Sequence, residues 1–275
     1  MKRMILAGIL AVIAGTTSLM AQKQPAPKSK GELEALQAMF NAQDPDGRIK
    51  AADLLLTKYA DTDFKDLALY MAAFSYQQKG EAEKAIVYSE RALEANPKHY
   101  QAMLMLAELT AQRTGEHDLD REEKLTRAEK YANSAIETVR VAPKPNPQLT
   151  DEQWTAGKKD IEAQAHQALG MVALTRKKND VAITEFKTAV DGASQPEPAF
   201  SVRLAQAYVA AGKYDEGIAT AQKVMDIPNV HPQIRQVAQA IRASAMQAKA
   251  AAAKAAAPAT PAAPPAPGQV EIKKP

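Results

Sequence analysis

Cysteine is absent from the whole chain of 275 residues. That excludes disulfides, thiolate metal sites and lipid attachment through a lipoprotein cysteine. The protein must therefore hold its fold by packing alone. Aromatic residues make up only 5% of the chain, with a single tryptophan, while 46% is hydrophobic and rich in alanine. Few β-branched residues and many alanines favour close-packed helices over sheets, because alanine is the best helix former. Charge of one sign is also lacking. With 35 basic residues against 32 acidic ones, a net charge of +3 gives no large field to attract nucleic acid or anionic lipid.

Catalytic signatures are missing as well. The chain has no G-x-S-x-G, no H-E-x-x-H, no phosphate-binding glycine loop and no dinucleotide fingerprint. Its four histidines, His99, His117, His166 and His231, lie far apart in sequence. His166 occupies an apolar-face position and is expected to pack in the core. His117 stands beside Asp118 and Asp120, where a solvated loop with an aspartate capping the next helix is expected over a metal site. Asp44, Asp46, Gly47, Ile49 and Asp53 within "AQDPDGRIKAAD" partly follow the spacing of a calcium loop. The first ligand position holds Ala42, Pro45 stiffens the loop, and the last acid is the shorter aspartate. A helix-capping turn is the expected outcome. No cofactor, no metal and no enzymatic activity are expected.

The two ends differ from the middle. "MKRMILAGILAVIAGTTSLMAQ" places Lys2 and Arg3 before an apolar run from Met4 to about Gly15. That is the form of a secretory signal peptide, with cleavage expected after Ala21. The run is shorter than the ~20 residues of a spanning helix. An exported protein, periplasmic or secreted after cleavage, is the expectation. The other end turns from alanine and lysine to alanine and proline, "AKAAAPATPAAPPAPGQVEIKKP". Proline removes donors and little there can be buried, so a disordered tail or linker is expected.

Between the ends the chain repeats. Small residues recur seven apart at Ala85 and Ala92, Ala128 and Ala135, and Ala182 and Ala189, with Gly217 and Val224 in the same register. Each pair follows a stretch with a small residue of its own: Ala73, Ala107, Gly170 or Ala205. Gly80 and Gly212 stand where a first helix should stop. In the unit 66–99 the pattern runs through Leu69, Ala73, Tyr76, Gly80, Ala85, Ala92 and Pro97. In 163–196 it runs through Leu169, Gly170, Ala182, Phe186 and Ala189, and in 198–231 through Leu204, Ala205, Tyr208, Gly212, Tyr214 and Gly217. These units resemble the tetratricopeptide repeat (TPR) family, a helix-turn-helix of 34 residues with fixed small and aromatic places. The unit 100–141 is looser and keeps Leu106, Ala107, Ala128 and Ala135.

Two intervals exceed that period. Ala85 to Ala128 is 43 residues, with the excess in "RTGEHDLDREE". Ala128 to Ala182 is 54, and the excess contains "VAPKPNPQLTDEQWTAGKKD". Thr150 and Gln153 form a capping box, so a long helix is expected from Asp151. The prolines of 143–147 read as a joint between sub-arrays. The expected organisation is a signal peptide 1–21, a linker 22–30, a solenoid 31–250 and an Ala/Pro-rich tail 251–275. Within the solenoid, units fall at about 31–60, 66–99, 100–141, 163–196 and 198–231. A helix over 232–250 would cap the last apolar face.

The resemblance implies an all-α, TPR-like helical-hairpin solenoid, wound as a right-handed superhelix. It also implies a concave groove, lined by the first helix of each unit, that holds a protein segment. Carried over position by position, the groove would present Tyr70, Phe74 and Gln77, then Leu104, Glu108 and Gln112, then Gln167, Met171, Arg203 and Gln206. Methionine and rotatable amides suit sequence-tolerant binding. The chaperone-tail branch of the family grips a terminal carboxylate with lysine and asparagine. Tyr70 and Phe74 stand at those places, so that specialisation is not expected. The opening units are also similar to repeats of bacterial cell-envelope factors of the Tol–Pal coordinator and outer-membrane assembly types, without the lipid-bearing cysteine of the latter. A non-catalytic interaction scaffold of the bacterial envelope is the expected function, with other proteins as partners and no nucleic acid. The alternatives are a spacer or assembly factor acting through the Ala/Pro tail, and a metal-dependent factor.

Overall fold

A computed structural model describes residues 25–256. The expected signal peptide and the alanine-proline stretch from residue 257 lie outside the described residues. Eleven helices and no strand are found among the described residues. They follow one another as α1 (Lys30–Asn41), α2 (Pro45–Lys58), α3 (Lys65–Gln78), α4 (Ala82–Ala95), α5 (Tyr100–Arg113) and α6 (Arg121–Val141). The second half continues with α7 (Asp151–Thr175), α8 (Asn179–Gly192), α9 (Pro198–Ala210), α10 (Tyr214–Met225) and α11 (Pro232–Ala256). Each helix packs on the next, and α5 with α7 and α9 with α11 also touch. The result is an all-α solenoid of helical hairpins, because no single hairpin can bury its apolar face alone.

The small residues sit where helices cross. Ala73, Ala85, Ala92, Ala107, Ala128, Ala135, Ala182, Ala189 and Ala205 are all fully buried. Larger side chains there would push neighbouring helices apart. Gly170 shows the tightest approach, since a Cβ on it would lie 2.7 Å from the ring of Phe186, itself fully buried. The turns are equally local. Gly80 and Gly212 take φ of +76° and +73°. Their amides donate to the carbonyls of Gln77 and Val209, closing α3 and α9. Lys177 occupies the same place after α7 with φ of 60°, a conformation that costs a non-glycine residue about 1 kcal/mol or more.

The departures from period are absorbed in two ways. In the second excess, Thr150 and Gln153 form the full capping box that starts the 25-residue α7. In the first, a seven-residue connection (114–120) and a longer α6 share the extra length. Ala85 is the fourth residue of α4, whereas Ala128 is the eighth of α6, one turn further in. The aspartate at the N-cap of α6, Asp120, does not cap it. Its carboxylate pairs with Lys124 at 2.9 Å instead.

Three expectations need correction. The prolines of 143–147 do not divide the array. Trp154 Nε1 donates to the carbonyl of Ala142 and Lys158 to that of Arg140, folding α7 back on α6. One apolar cluster then joins Met103 and Ala107 of α5, Ala132 and Ala135 of α6, and Ala165 and Ala168 of α7. The helix α11 runs to Ala256, so residues 251–256, expected in the tail, are helical. Alanine sustains the helix until the prolines near. The expected linker 22–30 is in part built into the fold. Ser29 caps α1, accepting from the Glu32 amide at 3.1 Å. The Lys28 amide donates to the buried Glu32 carboxylate at 2.6 Å, and Thr62 Oγ1 donates to its other oxygen at 2.6 Å. The Lys28 ammonium reaches Asp63 at 3.2 Å. Those bonds pin the start of α1 to the turn before α3.

Candidate partner-binding groove

The side chains expected to line a groove lie on the first helices of successive hairpins, α3, α5, α7 and α9. Arg203 on α9 acts on the carboxylate of Glu108 on α5, although α7 lies between those helices. Glu108 in turn acts on the phenol of Tyr70 on α3. Each of these side chains thus lies within electrostatic range of the next.

At one end the groove is aromatic. Tyr70 keeps part of its surface exposed yet lies deep among its neighbours, and burial pushes its phenol up to about 12. Its ring meets that of His99 with centroids 4.9 Å apart. Phe74 lies one turn further along α3, partly buried against Ala73, Met105 and Leu109. His99 is buried and its Nδ1 accepts the Ala102 amide at 3.3 Å, capping α5. Burial pushes its imidazole below the ordinary value, the neutral form being the one that can accept. Tyr100, absent from the expected set, borders Tyr70, and its phenol is also raised by burial. Its place in the first turn of α5, opposite Tyr70 of α3, could have been read from an alignment of the repeats by their small residues.

Further along, the groove is polar. Glu108 is half-buried, burial pushes its carboxyl up, and Gln112 Nε2 donates to it at 3.0 Å. Arg203 is half-buried and donates to Gln206 Oε1 at 3.1 Å. Gln77, Gln167 and Gln206 are half-buried and Gln112 is exposed. Leu104 and Met171 depart from the expected contact set. They are 8% and 7% exposed, held by Ala132, Ala135 and Ala168 in one case and by Phe186 and Leu204 in the other. Both belong to the packed interior.

Side chains singled out for metal chemistry are engaged separately. Asp44 caps α2, accepting the Gly47 amide at 2.8 Å. Asp46 pairs with Lys79 at 2.6 Å, and Asp53 accepts from the Tyr88 hydroxyl at 3.1 Å. Asp118 pairs with Lys124 at 2.9 Å. Among the described residues no group of three or more histidine, aspartate and glutamate side chains is placed to hold a metal ion. His166 is half-buried rather than packed in the core. Its Nδ1 lies 2.7 Å from Glu185 Oε2, tying α7 to α8. No helix among the described residues is long and apolar enough to cross a membrane.

Comparison with known proteins agrees with this architecture. A family model described as a tetratricopeptide repeat matches residues 67–99, which span α3, α4 and the turn after them. No curated protein sequence matches the chain. Among solved structures, the thermophilic TPR protein TTC0263 of Thermus thermophilus is 18% identical. The alignment covers 78% of this chain and 99% of that one, with a TM-score of 0.55. A double mutant of MamA RS-1 is 16% identical over 72% and 92% of the two chains, with a TM-score of 0.43. The assembly chaperone of RpL4, Acl4, is 12% identical over 81% and 99%, with a TM-score of 0.40. The first of these shows the fold. The chain thus carries a tetratricopeptide repeat at 67–99 within a helical-repeat solenoid of tetratricopeptide type.

Proposed function

We propose that the protein is a non-catalytic interaction scaffold of the bacterial cell envelope that holds a segment of a partner protein in its concave groove. The observation that carries this role is the tetratricopeptide repeat at 67–99 within a helical-repeat solenoid. A surface that mixes an aromatic end, rotatable amides and two charges is suited to an extended chain, which presents apolar, main-chain and charged groups in turn. Export is supported by the sequence of residues 1–21, whose charged, apolar and small-residue zones follow in the order of a secretory signal. The envelope assignment rests on that signal and on the likeness of the opening repeats to envelope factors.

Crosslinking and pull-down of the exported form from its own envelope fraction tests this. The wild type should capture a defined partner that the Tyr70→Ala/Phe74→Ala double variant loses, at unchanged helicity. Equal capture by both would remove the groove from the interaction, and capture by neither would remove the interaction itself.

A spacer role through the alanine-proline tail is the second reading. It is favoured by α11, whose Lys249 still pairs with Asp215 at the start of α10 while the helix continues to Ala256. Removal of residues 258–275 without change in localisation or binding would sink it.

A further inference from the structure

We propose that a ladder of ion pairs along one edge of the array makes its curvature respond to ionic strength. The inference goes beyond the groove, since it concerns the hairpin interfaces whatever the array holds.

The ladder follows the repeat. Lys79, just after α3, pairs with Asp46 in the first turn of α2 at 2.6 Å. Arg113, the last residue of α5, pairs with Glu83 in the first turn of α4. Arg176, just after α7, pairs with Glu122 in the first turn of α6 at 2.6 Å. Lys213, in the turn after α9, pairs with Asp180 in the first turn of α8 at 2.8 Å. Lys249 of α11 pairs with Asp215 in the first turn of α10. Each rung joins a cation from the late part of one helix, or from its exit turn, to an acid at the start of the helix before it. Those helix pairs are the places where one hairpin follows another. The acids stand in first turns, where the helix dipole favours a negative charge. At the opposite edge the polar ties differ from place to place. Asn96 bonds Asp66 inside one hairpin, and Arg140 pairs with Glu162 between two others.

A single exposed pair contributes little and is screened by salt. In a solenoid, however, the small rotation at each interface adds along the array. A weak bias repeated on one edge therefore becomes a single change of curvature. The Debye length falls from about 30 Å at 0.01 M salt to about 3 Å at 1 M, close to the length of the rungs themselves. Salt does not weaken apolar burial in the same way. The alanine crossings should thus keep the hairpins together while the edge loosens.

The rungs are unequal. Arg176 also pairs with Glu129 at 2.6 Å, Lys177 pairs with Glu116 at 2.5 Å, and Arg121 donates to the Thr175 carbonyl. That interface is the most heavily tied. The acids of the other four rungs are exposed to solvent ions, so those interfaces carry most of the response.

The test is fluorescence energy transfer across the full chain. Because the chain has no cysteine, dyes attach only at Ala38→Cys on α1 and Ala240→Cys on α11. Both positions are exposed. As sodium chloride rises from about 0.01 M to about 1 M, transfer should shift progressively at unchanged far-UV circular dichroism. The variant Asp46→Asn/Glu83→Gln/Asp180→Asn/Asp215→Asn should show the high-salt transfer already at low salt and lose most of the response. Lys213→Glu sets like charges on one rung. Its transfer should be displaced at low salt and return toward the high-salt value as salt rises. Transfer unmoved by salt in the wild type would overturn the inference. So would a full wild-type response in the fourfold variant, or no displacement in Lys213→Glu.

Discussion

Gly170→Ala is the sharpest test of how the hairpins are held together. In an isolated helix the change should stabilise by about 1 kcal/mol, the propensity difference between the two residues. The structure reverses that sign. An added Cβ would lie 2.7, 2.7 and 2.9 Å from three ring carbons of Phe186, where ordinary contact begins near 3.4 Å. The ring has little room to yield, being fully buried in a cluster with Met171, Val172, Ala182 and Leu204. Overpacking of a tight core costs roughly 1–3 kcal/mol, and three simultaneous overlaps belong at the upper end. Less the propensity gain, the net loss is about 2 kcal/mol. In a domain of this size that corresponds to roughly 4–8 °C in Tm. Urea unfolding followed by far-UV circular dichroism measures it. Gly192→Ala is the control, since nothing lies within 4 Å of a Cβ there, and it should be neutral or slightly stabilising. Phe186→Leu made together with Gly170→Ala should recover at least about 1 kcal/mol relative to the sum of the single changes. A stabilising Gly170→Ala, or strict additivity with Phe186→Leu, would refute the claim that contact at this crossing sets the hairpin spacing.

Further outcomes follow from single positions. Lys177→Gly relieves a positive φ at the end of α7 and should stabilise by about 1 kcal/mol in urea; an unchanged midpoint would show that the turn is not strained. His99 is held neutral by burial, its pKa below the ordinary 6.5. As pH falls below about 6.5 the unfolded chain takes up a proton before the folded one does, so stability should decline from there down through the folded value. His99→Asn keeps a capping side chain without titrating and should flatten that part of the urea-midpoint profile; an identical slope in the variant would assign the decline to other groups. The loss of capture expected of Tyr70→Ala/Phe74→Ala, at unchanged helicity, is a separate measurement of the groove.

Much of the fold was legible because helical repeats write their constraints locally. Alanines seven apart mark one face of a helix. A glycine after the first helix marks its left-handed stop, and a threonine three residues before a glutamine marks a start. Each needs only a turn or two of chain to act. The 25-residue α7 was readable from Thr150 and Gln153 alone. Composition was enough to exclude disulfides and to favour an all-helical chain.

The tertiary structure decided what those faces look at. Leu104 and Met171 stand at groove positions by register, yet side chains of α6 and α7 cover the first and those of α8 and α9 the second. His166 has the spacing of a core residue, but Glu185 of the next helix brings it a charged partner. The prolines of 143–147 look like a break in one dimension, while Trp154 and Lys158 fold the following helix back on the array. Which neighbours a helix face meets depends on how the hairpins stack. That stacking is set by how side-chain volumes at every crossing fit together, which no local pattern in the sequence encodes.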